Sequence, residues 1–259
     1  MNVTVIGSCR VHGPLRWVAA QGLIAMHDQG VYGYTHCTKE ALQQLEVLQG
    51  KRQLTDELWP YIADSRYSEL GHGDVATADA LVVEISSVKE ISFRQTFLQS
   101  VFFRTALVRD RADLAAWWKD LRRGASTGPR EDYVREDLSD LEQALVRETT
   151  VELQAQQTIH DDMRAIATSF EGPVDFVSHF DVTDYRGRPV AIREQLIESV
   201  AAGAAKLEAP YCNPGELARR FGRSRAVRDR SHYHPDFVRE LGMRIFTDYL
   251  VPIGERVTR

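Results

Sequence analysis

Cysteine is scarce in this 259-residue chain, and the three present, Cys9, Cys37 and Cys212, are scattered and odd in number. That excludes a disulfide framework and fits a reducing compartment. No two of them form a CxxC pair, which excludes a structural zinc site of that kind. Long apolar runs are also missing: nothing approaches the ~18 continuous apolar residues that span a bilayer. The first residues carry no basic stretch followed by an apolar one, so no secretion leader is visible. These absences predict a cytoplasmic protein with no membrane partner. Positive charge is not in excess either, and a net charge of −5 leaves no electrostatic footprint for nucleic acid. Asparagine is rarer than cysteine, with Asn2 and Asn213 alone. Internal repeats and low-complexity tracts are absent, so no linker is marked and the chain reads as one domain. The 43% of apolar and 27% of charged residues are those of an ordinary globular protein.

What is present is an alternation of strand-like and helix-like segments. Residues 2–7 are apolar enough for a buried strand. Residues 14–27 read as the following helix, with Pro14 in its first turn. Gly30 to Gly33 reads as a turn, and Thr38 as the N-cap of a helix that carries Leu42, Leu45 and Leu48 and ends at Gly50. Residues 79–87 form a second strand, nearly continuous in apolar residues from Leu81 to Ile85, as a strand covered on both faces should be. Glu84 breaks that run. The reading preferred for it is a strand edge or end, where the carboxylate reaches water or an arginine. A third strand lies at 175–181 and an amphipathic helix at 189–205, followed by a loop from Ala209 to Gly215 and a terminal helix from Pro235 to Leu250. Residues 93–170 read as largely helical, an insertion with the aromatic residues Phe97, Phe102 and Phe103 in its core. Strands alternating with helices predict a mostly parallel sheet, hence a three-layer α/β/α sandwich of the α/β class with a helical insertion at about 93–170.

Two motifs at opposite ends of the chain carry the chemistry. Gly7, Ser8 and Cys9 follow the first strand. Asp229 and His232, three apart, precede the last helix. A serine hydroxyl needs a base to take its proton, and that base needs an acid to orient it. Ligands of an open parallel sheet bind outside the carboxyl ends of its strands, where Ser8 and the segment from Asp229 to His232 would meet. Cys9 is a competing nucleophile, although adjacent residues point different ways and one alone can face the base. His232 and His234 with Asp229 could also be metal ligands, but no second ligand cluster supports them, so neither metal nor cofactor is expected.

With these residues in place the chain resembles the SGNH, or GDSL-type, hydrolases. That family sets its serine just after the first strand and takes acid and base from a D-x-x-H element near the carboxyl end. Gly7 and Ser8 stand where the family has Gly-Asp-Ser, and Asp229 and His232 match its acid and base. The Gly7-Ser8-Cys9 form is nearer the branch named for a Gly-Ser-Cys-Phe-Ala motif, and the match stops at Cys9. The likeness covers roughly residues 1–92 and 172–259. It implies Ser8 as nucleophile, His232 as base and Asp229 as its orienting acid. It also implies an oxyanion hole from the N–H groups of Ser8 and of a glycine in the second block, here Gly33. The third block departs from the family. Its asparagine is missing, and Ser86 and Ser87 occupy that place with hydroxyl groups as donors.

The function implied is ester hydrolysis of an acylated small molecule or sugar. The alternatives are acyl transfer to a sugar or biosynthetic intermediate by the same serine, and a non-catalytic binding protein on the same fold. Arg10, able either to bind an anion or to pair with a carboxylate, and His179, at the end of its strand, are further candidates to line the pocket. Arginines at 219, 220, 223, 225, 228 and 230 form either a solvated basic edge or a surface for an anionic substrate. The insertion sets specificity or joins a second copy in a homo-oligomer, since its amphipathic face must pack on something.

Overall fold

A computed structural model describes residues 1–26, 33–63, 78–123, 134–181, 188, 190–229 and 231–257. The expected polar break from Gly124 to Arg130 and the first three residues of the turn at Gly30 to Gly33 lie outside them. The chain begins with β1 (Asn2–Ile6), α1 (Cys9–Ala20), β2 (Ala25–Met26) and α2 (Thr38–Leu48), the last followed by a 3-10 turn at Asp56–Tyr61. Next come β3 (Ala80–Ile85), β4 (Lys89–Phe93), β5 (Thr96–Phe97), α3 (Ser100–Phe103), which runs on as a π-turn to Val108, and α4 (Ala112–Leu121). Then follow α5 (Asp140–Glu148), β6 (Thr150–Leu153), α6 (Gln156–Ser169), β7 (Val174–Ser178), α7 (Ala191–Lys206), β8 (Tyr211–Cys212), α8 (Pro214–Phe221) and α9 (Arg223–Ala226). The chain closes with α10 (Pro235–Ile245), continued by a π-turn and α11 (Val251–Val257).

Five strands form the main sheet in the order β2-β1-β3-β7-β8, each pairing parallel. Side chains alternate across it. Val3, Val5, Val82 and Val177 join Val11, Leu15 and Val18 of α1 and Phe237, Leu241 and Ile245 of α10 in one core. Ile6, Leu81, Val83, Ile85 and Phe176 face the other way, onto α2, α6 and α7. Buried on both faces, the central strands have no polar side to show, hence their near-continuous apolar sequence. Helices therefore cover both faces of a mostly parallel sheet, and the fold is the three-layer α/β/α sandwich expected. Close helix packing completes one layer: a Cβ on Gly242 of α10 would lie 2.5 Å from the Pro14 carbonyl oxygen of α1, so this crossing needs glycine.

Several boundaries differ from the sequence reading. Helix α1 starts five residues before Pro14 and ends before Leu23, so the proline is interior, and Ser8 is the N-cap, its Oγ accepting from Arg10 N at 3.3 Å. Cys37, not Thr38, is the N-cap of α2. The expected loop at 209–215 contains the edge strand β8. Within 93–170 the chain is not simply helical. Strands β5, β4 and β6 make a small antiparallel sheet, and the single long helix expected there is two helices divided by β6. Ser139 opens the first with a capping box to Glu142. A separate core fills this region, with Phe103 against Trp117 and Trp118. Phe97 and Phe102, expected in that core, are only half-buried.

Asp175 of β7 is fully buried, and neither carboxyl oxygen has a hydrogen-bond partner among the described residues. Burial pushes its pKa from 3.8 to about 8. A folded value above the unfolded one means the native state holds the extra proton, so stability is full below about pH 4 and is lost as pH rises through about 8. Asp175→Asn removes this dependence. Urea unfolding should find the variant more stable than wild type at about pH 8, with the advantage shrinking toward about pH 4. A constant difference across that range would rule Asp175 out as the source.

Candidate active site

The site is built at the carboxyl ends of β1 and β3. Gly7 ends β1, and a Cβ there would lie 2.7 Å from both Glu84 Cβ and Val11 Cγ1, so glycine alone lets β3 come this close. Ser8 follows, 1% exposed. Its hydroxyl donates to Glu84 Oε2 at 2.5 Å and its backbone N–H donates to the same oxygen at 2.7 Å. The other oxygen, Oε1, accepts from Arg10 Nε at 2.9 Å. Burial alone would raise the Glu84 carboxyl, but the Arg10 guanidinium and the hydrogen bonds from Ser8 and Arg10 outweigh it and hold the pKa below 4.5. Glu84 is thus an ionised, buried hub. The expected contact with an arginine is there, but in a central strand rather than at an edge.

Asp229 and His232 come from a tight turn closed by the bridge between Val227 and Tyr233. Asp229 Oδ1 accepts from the backbone N–H groups of Ser231 and His232, and His232 Nδ1 lies 2.9 Å from both carboxyl oxygens. The Ser231 N–H and the His232 side chain hold the Asp229 carboxyl below its ordinary value. With Nδ1 engaged by the carboxylate, the imidazole leaves Nε2 without a partner among the described residues. His232 is 49% exposed. The two ends of the chain do meet, because Ser8 and His232 line one cavity of about 510 Å3. The serine hydroxyl, however, points its proton at Glu84 and not at the imidazole.

The same cavity holds Arg10, Ser86 and Ser87, as expected, together with Cys9, whose thiol is pushed up by partial burial. Of the two N–H donors expected, that of Ser8 is committed elsewhere, and so are the N–H groups of Ser86 and Ser87, whose hydroxyls were the expected donors. That of Ser8 binds Glu84, and those of Ser86 and Ser87 both donate to the His36 carbonyl at 2.7 and 2.9 Å. Gly33 has φ +150°, packs near Phe102 and Ala63, and does not line the cavity, although its neighbour Tyr34 does. His179 is displaced from its expected role. It is wholly buried, its Nδ1 donates to the Phe180 carbonyl at 2.7 Å, and its ring packs on Phe180. Burial holds its pKa well below the usual 6.5. His179 follows directly on β7, but its side chain turns inward and does not line the cavity.

Residues that sequence reasoning missed complete the lining. Gln99 Oε1 accepts from Val101 N and Phe102 N as the cap of α3, which aims its amide at His36 Nε2, 3.1 Å away. His36 Nε2 therefore accepts, and its Nδ1–H donates to Ser86 Oγ at 3.1 Å. Burial and Arg10 lower the His36 pKa to about 4, so it is neutral at neutral pH. Lys89, Arg104, Arg122 and Arg193 also line the cavity, making it strongly positive. Burial and each other's charge lower several of these: Lys89 beside Arg122, Arg122 beside Arg104, and Arg193, to about 10, beside Arg10. The arginines noted at 219–228 instead sit outside, with Arg219 and Arg223 on Asp181 and Arg225 over the Phe221 ring. Among the described residues no three His, Cys, Asp or Glu side chains cluster as metal ligands, and no helix is long and apolar enough to cross a membrane.

A family model described as the TviD N-terminal domain matches residues 1–248. The Vi polysaccharide biosynthesis protein TviD of Salmonella typhi is 26% identical over 255 residues, covering 90% of this chain. The chain spans 29% of that relative's length. A solved crystal structure aligns over 98% of both chains at 10% identity and a TM-score of 0.37, too weak a likeness to carry an argument.

Glu84→Gln leaves the buried Arg10 cation without a counter-charge and should lower the unfolding free energy by ~3 kcal/mol at neutral pH. Because the folded pKa of Glu84 lies below 4.5, its contribution is complete above that pH and is lost as pH falls toward the folded value. The gap between wild type and variant, read from urea unfolding, should therefore narrow in acid, and equal stability at neutral pH would refute the pairing. Gly7→Ala should destabilise by ~1–3 kcal/mol through overpacking. A wild-type unfolding midpoint in that variant would contradict the close approach to Glu84.

Proposed function

The chain belongs to the TviD N-terminal domain family, and from that premise we propose that it is an acyltransferase that carries an acyl group on Ser8 and passes it to a hydroxyl of a saccharide. The observation that supports this most is the convergence of Ser8 with the Asp229–His232 pair on one cavity at the carboxyl end of a parallel sheet. This convergence is what the resemblance to SGNH-type hydrolases implies, and it supports the reading. The sequence alone favours hydrolysis first. The name of the relative, a polysaccharide biosynthesis protein, moves the preference to transfer, because a biosynthetic acceptor is a sugar hydroxyl rather than water. Five cations in the lining favour a reactant with negative charge on the acyl donor or the acceptor.

Ser8 first turns about its Cα–Cβ bond, exchanging Glu84 for His232 Nε2. Its Oγ then forms a bond to the acyl carbon as the proton passes to Nε2, and the carbonyl π pair moves onto the acyl oxygen. Asp229 steadies the imidazolium through Nδ1. The pair returns, the bond to the leaving group breaks, and that group takes the proton from Nε2. In the second half a sugar hydroxyl gives its proton to Nε2 and attacks the acyl-serine, and Ser8 recovers its proton as it leaves. Water in the sugar's place gives hydrolysis by the same steps. Glu84 is a poor choice of base, since its pairing with Arg10 lowers its affinity for the proton.

Intact-mass analysis after a fluorophosphonate probe tests the nucleophile. One adduct is expected on wild type and none on Ser8→Ala, and His232→Ala should label at least ~100-fold more slowly. An equal adduct on a folded Ser8→Ala would dismiss Ser8. Incubation with acetyl-coenzyme A and an oligosaccharide then separates transfer from hydrolysis: a mass increase on the sugar is expected, and free acetate alone would return the reading to an esterase.

A further inference from the structure

Charge that develops on an acyl oxygen needs donors aimed at it, and removing one such donor from a preorganised site typically costs ~100- to 1000-fold in rate. In this cavity the backbone donors nearest the ends of β1 and β3, those of Ser8, Ser86 and Ser87, are engaged. Glu84 holds the Ser8 N–H, and the His36 carbonyl holds those of Ser86 and Ser87. Of the hydroxyls that stand where the family has asparagine, Ser86 Oγ accepts from His36 Nδ1 and turns its proton toward the His36 carbonyl at 3.5 Å, while Ser87 Oγ accepts from Lys89 N at 3.0 Å and keeps its proton to donate.

One cation is placed to fill the gap. In the ladder between β1 and β3, Ile6 lies opposite Val83, so Ser8 comes level with Ile85 at the end of β3, one residue before Ser86. Neighbouring strands are ~4.8 Å apart. Arg193, in the first turn of α7, reaches over that rim, donates from Nη1 to the Ser86 carbonyl at 2.8 Å, and lines the same cavity as Ser8 and His232. Arg10 has its carboxylate, Glu84. Arg193 forms no ion pair with a carboxylate among the described residues, and burial and the Arg10 charge lower its basicity more than Glu84 raises it. A guanidinium carries five N–H groups in a rigid fork, so one can be anchored on Ser86 while others remain for a ligand.

We propose that Arg193 is the donor that stabilises the acyl oxyanion, taking the place of the asparagine this chain lacks. The proposal rests on the acyl-Ser8 reading. As Ser8 Oγ bonds to the acyl carbon and the π pair moves to oxygen, free N–H groups of Arg193 bind that oxygen. Arg193 keeps all its protons, and the pair returns to carbon as the leaving group departs. The anchor on Ser86 fixes the fork before substrate arrives, so its orientation costs nothing at the moment of reaction.

The test uses p-nitrophenyl acetate, an uncharged donor, so that loss of a cation cannot act through attraction of substrate charge. The burst of p-nitrophenolate reports acylation of Ser8. Arg193→Gln should slow the maximal acylation rate ~100- to 1000-fold with KM changed by only a few-fold, and added guanidinium should restore part of the rate. Arg193→Lys, which keeps the charge but not the fork, should fall between. Acylation of Arg193→Gln at the wild-type rate would overturn the proposal. So would a loss confined to KM, a loss seen only with the anionic donor acetyl-coenzyme A, or a slow variant with reduced thermal stability and no rescue. A wild type with no Ser8-dependent burst would fell the acyl-serine reading and this proposal together. A normal wild-type burst that ignores Arg193 removes only the latter.

Discussion

The carboxylate of Glu84 is the constraint on which the rest of the site depends. A charge in the middle of a parallel sheet, covered by helices on both faces, cannot be hydrated and must find its partners inside the protein. Glu84 finds three: the Ser8 hydroxyl, the Ser8 backbone N–H and the Arg10 guanidinium. All three lie at the junction of β1 and α1, so one side chain fixes where the first strand ends and how the first helix begins. The absence of a side chain at Gly7 follows from the same closeness. Replacing such a pair with apolar groups need not weaken the fold, so its presence argues for position rather than strength.

That position gives Ser8 a resting state in which its proton faces a carboxylate with little appetite for it. Arg10 and the Ser8 hydrogen bonds satisfy Glu84 as an anion. Asp229 meanwhile holds His232 by Nδ1 and leaves Nε2 bare. The two halves line one cavity, and on the reading proposed above a turn of the Ser8 side chain away from Glu84 joins them. A hydroxyl exposed to a strong base at all times would react with whatever acyl compound entered. On the same reading, one held by Glu84 waits for a substrate that makes the other rotamer the better one.

How much of this could be read from the sequence follows from how far apart the partners lie in it. Strands β1, β3 and β7 were legible because burial on both faces writes a short apolar run. The final helix was legible from Pro235 at its first position. That Ser8 and the Asp229–His232 pair share one cavity was legible because each half is local: a serine after a strand, and an acid and a histidine three apart. Glu84 and Arg10 are 74 residues apart, and Arg193 and Ser86 are 107 apart, so no local pattern announces either pair. The start of α1 was misplaced because Pro14 suggested a first turn, although Val11 already begins the apolar period that Leu15 and Val18 continue. Strand β8 is two residues long, and β4 pairs only with short antiparallel neighbours, below the length at which alternation speaks clearly. His179 looked like a rim residue because the strand was read one turn of the pleat too long. Glu84 itself was the available clue, since an isolated acid inside a doubly covered strand has few reasons to be there other than a partner.

The charges of the cavity complete the logic. Arg193, Arg122 and Lys89 each lose basicity to burial and to a neighbouring cation, so the empty cavity holds like charges that repel. His36 adds none, because burial keeps it neutral and Gln99 fixes it as a donor to Ser86. Any negative charge that enters or forms there relieves this repulsion. The relief is largest where water is least able to screen it, at the buried rim between Ser8 and Ser86. Glu84 could have cancelled much of that field, but its pairing with Arg10 spends most of its charge at close range, so the cavity keeps its positive character. The pairing that fixes the serine in space is therefore also what preserves the positive field in front of it.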